Sequence, residues 1–193
     1  MNFNHTFNKY IKKSIYPALD RHPIPDQKHY NYFIIIPVFN EHDYLLNTLK
    51  SINNQKNIYL NNTLVILVIN NSINSSQSIK NNNVSTHLLI KSYKFNFEYI
   101  VLDYYSKGNE LPNKKGGVGV ARKIGMDYCL KYSNQDSLLF CLDADTLISK
   151  KYLTQIIKCY NQTDFNTCVI KFLHQKSSNP KIEKAIRLYE QTL

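Results

Sequence analysis

The chain alternates short, continuously apolar runs with segments whose apolar residues recur every three or four positions. Tyr32–Val38 (YFIIIPV), Thr63–Asn70 (TLVILVIN), Glu98–Asp103 (EYIVLD) and Ser137–Leu142 (SLLFCL) are the runs that precede helical patterns or loops. Stretches this short and this greasy predict strands buried on both faces, as in a parallel sheet. A similar run, Thr167–His174, predicts a fifth strand. Leu45, Leu49 and Ile52 predict a helix after the first strand, with Asn40 as its cap and Asp43 in its first turn. Pro37 is expected to end the first strand's ladder. Ala121, Ile124, Tyr128 and Cys129 predict a helix over Val118–Tyr132, and Leu153, Ile156, Ile157 and Tyr160 another, capped by Ser149. Asn179 and Pro180 open a last helix, with Ile182, Ile186 and Tyr189 on one face. Residues 75–83 read as loop, 86–90 as a helix end, and 104–117 as a long polar loop. Strands alternating with helices predict an α/β fold, Rossmann-like, with a mainly parallel sheet flanked by helices on both faces.

The 193 residues suit one core. Residues 1–30 are polar, basic and punctuated by prolines, and read as an N-terminal arm with a short helix near Lys9–Ile15 that packs on the domain formed by 31–193. The formal charge of +10 favours a polyanionic partner. The lysines are scattered, however, and their doublets form no basic face with interleaved aromatics, which argues against nucleic acid. Cys129, Cys141, Cys159 and Cys168 form no C-x-x-C pair, and reduced thiols suggest the cytoplasm. No run is long enough to span a membrane, and the first residues lack the apolar core of a secretory signal.

The chemistry concentrates at strand ends. The run LLFCL stops at Asp143 and Asp145, two carboxylates one residue apart. Held together they repel, and a hard divalent cation, Mn²⁺ or Mg²⁺, relieves the repulsion. Asn40-Glu41, Asn70-Asn71-Ser72 and Asp103 end the neighbouring strands at the same edge. Gly116-Gly117-Val118-Gly119 leads into a helix N-terminus, which suits phosphate, and Arg122 with Lys114 or Lys115 adds positive charge. Each piece alone is common. Their conjunction, in this order, describes a site for a metal-bound nucleoside diphosphate.

The segments FIIIPVFNE, LVILVINNS, KGGVGVARKIGMDYCL and LLFCLDADTLISKKYL, in that order, resemble the family 2 glycosyltransferases of GT-A fold from about residue 32 to 160. The resemblance implies a glycosyltransferase, hexosyltransferase-like and inverting, that moves sugar from a UDP- or GDP-sugar to an acceptor hydroxyl. It implies that Asp145 ligates the metal and that Asp143 meets the ribose or a metal-bound water. Pro37, Val38, Phe39 and Glu41 would border the nucleoside, Asn70 or Asn71 the base, and Gly117 and Arg122 the diphosphate. Many relatives act on lipid-linked acceptors, which implies peripheral contact with the inner face of a membrane. Relatives carry the catalytic base well beyond the D-x-D, after further strands. Few residues follow Asp145 here, so this chain is expected to lack the acceptor part, and no base is assigned: Glu183 and Glu190 sit on an amphipathic helix and Asp164 in a loop.

Two other readings fit the sequence less well. A sugar-1-phosphate nucleotidyltransferase would place a glycine-rich loop after the first strand, where this chain has Val38-Phe39-Asn40-Glu41. A non-catalytic nucleotide- or nucleic-acid-binding domain fits the charge but not the acids at the sheet edge. His5, His22, His29, His42, His87 and His174 show no ligand spacing.

Overall fold

The computed structural model describes residues 3–13, 16, 22, 29–113, 117–163 and 165–191. Four strands, β1 (Tyr32–Val38), β2 (Thr63–Asn70), β3 (Glu98–Tyr104) and β4 (Leu138–Cys141), form an all-parallel sheet in the order β3-β2-β1-β4. Ile34, Ile36 and Val38 of β1 pack on one face, Phe33 and Ile35 on the other, and all five are fully buried. Each such side chain gains ~1.5–3 kcal/mol on burial, which is why the run contains no polar interruption.

Helices cover both faces. Leu45, Leu49 and Ile52 of α2 (Leu45–Asn53), Leu60 of α3 (Asn57–Leu60), Ile90 of α4 (Gln77–Lys91) and Leu153 of α6 (Tyr152–Gln162) share one core with Ile34 and Ile36. Ala121, Ile124, Tyr128 and Cys129 of α5 (Val118–Leu130) share the other with Phe33 and Ile35. Gly125 lets α5 lie this close, since a Cβ there would fall 2.4 Å from Ile35 Cγ2.

Among residues 1–30 the described ones include a helix, α1 (Phe3–Lys13), which begins earlier than the pattern suggested; residues 14–15 lie outside the described residues. The Tyr10 hydroxyl and the Tyr16 N–H each donate to the Asp127 carboxylate at 2.7 Å, and Lys123 Nζ lies 2.5 Å from it. A carboxylate only 1% exposed on α5 is thereby satisfied.

Several local expectations change. Residues 77–83 belong to the helix α4 (Gln77–Lys91) and not to a loop, and 86–90 form its end as expected; the Ser76 hydroxyl begins it by accepting from Ile79 N–H. Its buried positions are Asn83, Thr86 and Ile90, a stripe too polar to read as amphipathic. Asn40 does not cap α2. It sits at φ 61°, and a turn in which the Glu41 carbonyl accepts from Tyr44 and Leu45 N–H precedes the helix. Nor does Pro37 end the pairing of β1 with β2, which continues through Val38↔Ile69. The β4 side stops at Ile35↔Cys141. The Ile35 carbonyl accepts from Leu142 N–H, so by the period of two Pro37 faces that same side, where it has no N–H to offer. Ser149 stands outside α6, which starts at Tyr152.

The chain divides into two compact units, 1–157 and 158–193. In the second, Thr167–His174 forms no strand: no ladder partner meets it among the described residues, and Val169, Phe172 and Leu173 are exposed. A strand needs a neighbour for its backbone groups, whatever its composition. Asn179 caps α7 (Pro180–Glu190) as expected, accepting from Lys181 N–H at 3.0 Å. No residue of α7 is buried, so Ile182 and Tyr189 face solvent rather than a core. Among the described residues no helix is long and apolar enough to cross a membrane.

Candidate active site

β2 and β3 lie on one side of β1, and β4 on the other. Successive connections therefore part at β1, and a crevice opens beyond the carboxyl ends of β1 and β4. A cavity of about 600 Å³ occupies it. Of the residues singled out from sequence, Pro37, Phe39, Glu41, Asn70, Gly117, Arg122, Asp143 and Asp145 line this cavity. Val38 and Asn71 do not: the Val38 side chain belongs to the core, and Asn71 is buried in a hydrogen-bonded cluster beside it. Lys114, Lys115 and Gly116 lie outside the described residues.

The two aspartates are set by a polar stripe on α2. Between them Ala144 is buried, and its carbonyl accepts from the Thr48 hydroxyl at 2.6 Å. The Asp143 carbonyl accepts from Thr146 N–H at 3.1 Å, closing a turn. One helical turn on, the Ser51 hydroxyl accepts from Ile148 N–H. Further on, Gln55 donates to the Ser149 carbonyl at 2.8 Å and accepts from Leu153 N–H at 3.1 Å. Thr48 and Ser51 on α2, with Gln55 two residues past its end, thus hold the segment that follows β4.

Three carboxylates meet here. Burial raises the Glu41 carboxyl above its ordinary range, and the charges of Asp145 and then Asp143 push it further the same way. The counterweight is Arg122, one turn into α5, which pairs with Asp143 through Nη2. Its Nε is buried without a hydrogen-bond partner among the described residues. Gly117, at φ 128°, begins α5 with no side-chain cap, and it lines the cavity with Val118. An uncapped N-terminus carries partial positive charge and N–H donors. Among the described residues no group of three or more His, Cys, Asp or Glu forms a ready-made metal cage.

Asn70 ends β2 at 3% exposure. Both its amide hydrogens go to backbone carbonyls, Val38 O at 3.1 Å and Val68 O at 3.2 Å. What the side chain retains is an acceptor, Oδ1. Beyond it, Leu111 docks on the chain after β2. Its N–H donates to the Asn71 carbonyl at 2.9 Å, and Ile73 N–H returns a bond of 3.2 Å. The Asp103 carboxylate organises the approach by accepting from Tyr105 N–H, Ser106 and Asn109, bonds that outweigh burial and hold its pKa below the usual value. This docking brings Asn113 to the rim beside Ser72 and Ser75. Ser72, which the sequence places at this edge, lines the cavity, whereas sequence reasoning missed Ser75 and Asn113 as lining residues. The one available signal was Leu111, a lone apolar residue in a polar loop.

The acids weighed as bases do other work. Arg187 donates to Glu183 at 2.7 Å and also pairs with Glu190, while Ser177 N–H and His174 N–H bind those same two carboxylates. Asp164 lies outside the described residues.

Among solved structures, residues 1–349 of S. aureus TarS match at 18% identity with a TM-score of 0.46, over 68% of this chain and 32% of that one. The same S. aureus TarS segment in complex with UDP-GlcNAc matches at 18% identity and a TM-score of 0.46, over 68% of this chain and 31% of that one. The chain therefore spans about a third of those structures. No curated protein sequence matches. The family model described as glycosyl transferase family 2 matches residues 33–192, which takes in the whole sheet except Tyr32 and every residue lining the cavity. The chain belongs to glycosyl transferase family 2.

Proposed function

We propose that the cavity binds a UDP- or GDP-sugar with Mn²⁺ or Mg²⁺, and that the sugar passes to an acceptor hydroxyl with inversion. The observation that carries this is the meeting of Glu41, Asp143 and Asp145 with Arg122 and an uncapped helix N-terminus in one cavity. Acids alone would repel a diphosphate, and bases alone would not need the acids. Both together suit a diphosphate that brings a cation. Mg²⁺ takes one or two protein carboxylates and completes its shell with water and phosphate oxygens, so the absence of a cage of three among the described residues is compatible with it. Asp145 and Asp143 are the ligands proposed. The cation supplies Lewis acidity, stabilising negative charge on the departing diphosphate.

The chain's own residues bind and orient. The Arg122 guanidinium and the N-terminus of α5 offer donors to phosphate oxygens. Asn70 Oδ1 offers an acceptor to an N–H of the base, which both uracil and guanine possess. Phe39 and the Pro37–Val38 backbone border the nucleoside. In the transfer, the acceptor oxygen forms its bond to the anomeric carbon while the bond from that carbon to the diphosphate breaks. The bonding pair leaves on the diphosphate, and the hydroxyl proton goes to a base that these residues do not supply. The work is placed in the cytoplasm, in keeping with four free cysteines, and at the inner membrane face for a lipid-linked acceptor.

A thermal-shift series tests the reading. A nucleoside diphosphate at a hundred times its dissociation constant stabilises by about 2.7 kcal/mol, or roughly 5–10 °C for a domain of this size. The shift is expected with UDP or GDP plus Mn²⁺ and is lost with EDTA. No shift with any nucleotide would count against the reading.

A further inference from the structure

We propose that Asn83 is a positioning residue that sets the distance between the two walls of the nucleotide cavity. This inference rests on the donor-site reading above. Asn83 lies on α4, is fully buried and does not line the cavity. Its amide nevertheless reaches Asn70, which lines the cavity, and Asn71 and Asn40, which adjoin lining residues. Nδ2 donates to the Asn70 carbonyl at 2.9 Å and to Asn71 Oδ1 at 3.0 Å. Oδ1 accepts from Asn40 N–H at 3.1 Å. One planar group thus joins the end of β2 to the turn after β1.

Those two places carry the site. Asn40 stands between Phe39 and Glu41, which both line the cavity, and Asn70 lines it from β2. Asn40 also holds φ 61°, a left-handed conformation uncommon among non-glycine residues that asparagine tolerates better than most. Its N–H bond to Asn83 ties that turn to α4. Asn82 adds a longer bond, accepting from His42 N–H at 3.3 Å.

The residue type matters. Two donors and one acceptor are used, so an aspartate would keep the bond to Asn40 but lose both donors, and an alanine would lose all three bonds. The Asn70 carbonyl and Asn71 Oδ1 would then be left buried with a donor removed. Asn40 is exposed, so its N–H can turn to water instead. The cheapest relaxation is therefore for the 39–42 turn to swing outward, which opens the wall bearing Phe39 and Glu41. The strands stay paired, because Asn70 Nδ2 still holds the Val38 carbonyl and the β1–β2 ladder is untouched.

The test compares Asn83→Ala and Asn83→Asp with Ile90→Val, a core change on the same helix at a residue that does not line the cavity. UDP and GDP are titrated calorimetrically with Mn²⁺ present, and melting temperatures are recorded alongside. Both Asn83 variants are expected to fold and to weaken binding at least tenfold. Ile90→Val is expected to lower the melting temperature while keeping affinity within twofold. Folded Asn83 variants that bind within twofold of wild type overturn the inference and leave the donor site standing. So does an equal loss in Ile90→Val, or failure of both Asn83 variants to fold, which would assign Asn83 to stability alone. Wild type that binds neither nucleotide defeats the donor-site reading itself, and the inference with it.

Discussion

Two glycines on one helix should respond to alanine with opposite signs. Gly119 and Gly125 both lie in α5. A Cβ on Gly119 meets nothing within 4 Å, so Gly119→Ala adds helix propensity alone. That gain is at most about 1 kcal/mol, and less in a first turn. A Cβ on Gly125 would lie 2.4 Å from Ile35 Cγ2 and 3.2 Å from Val68 Cγ2. Carbon atoms pack best near 3.5–4.0 Å, so the first contact is short by about 1 Å. Ile35 and Val68 are fully buried, β-branched and fixed in the two central strands, so neither can retreat. α5 must lift instead. Overpacking of this kind costs about 1–3 kcal/mol or more, and the upper end applies here. Set against the propensity gain, Gly125→Ala should lose about 2 kcal/mol, a fall of roughly 4–8 °C in melting temperature. The same lift displaces Gly117, Val118 and Arg122, so nucleotide affinity should fall with it. Urea unfolding and thermal melting of both variants check this. If Gly125→Ala matched or exceeded wild type in stability, the close packing of α5 on the sheet would be refuted.

Other residues give further tests. Thr48→Val keeps shape but leaves the buried Ala144 carbonyl without its donor. It should cost about 1–3 kcal/mol in urea unfolding and raise the Mn²⁺ concentration needed for nucleotide binding, whereas an unchanged Mn²⁺ requirement would show that the D-x-D turn holds itself. Glu41 has a raised pKa, so its ionisation is easier in the unfolded chain, and stability falls as pH rises from about 4.5 through the folded value. Glu41→Gln should therefore be more stable than wild type at neutral pH without metal, with the difference vanishing below about pH 4. Unfolding curves at the two pH values would expose a wrong sign. Asp127→Ala removes the acceptor shared by Tyr10, Tyr16 and Lys123. It should cost on the order of 2–3 kcal/mol and make the first thirty residues the earliest site of limited proteolysis; cleavage as slow as in wild type would mean that the arm is held elsewhere.

The sheet was legible because strands buried on both faces leave continuous apolar runs, and the bounds of β1 and β2 follow YFIIIPV and TLVILVIN residue for residue. Part of the cavity's lining was legible for the same reason: Asn70, Asp143 and Asp145 are polar residues where a run stops at the sheet edge. What escaped reading depends on partners distant in sequence. α4 buries Asn83 and Thr86, whose hydrogen bonds replace the apolar stripe that identifies a helix, and in a chain rich in asparagine nothing marks Asn83 from its neighbours. The left-handed turn at Asn40 is held from α4, forty-three residues away. Asn113 reaches the rim only because Leu111 pairs beside Ser72. Thr167–His174 has a strand's composition, but pairing is a property of two segments, and one segment's sequence reports only half of it.

The central claim is that Asp143 and Asp145 bind a nucleoside diphosphate through a divalent cation. The most direct measurement is calorimetric titration of UDP, GDP and their sugar conjugates, with and without Mn²⁺, into wild type and Asp145→Asn. The account predicts that one nucleotide binds, that binding requires Mn²⁺, and that Asp145→Asn, folded as judged by its melting curve, abolishes it. Metal-independent binding that survives Asp145→Asn, or no binding at all by the folded wild type, would contradict it.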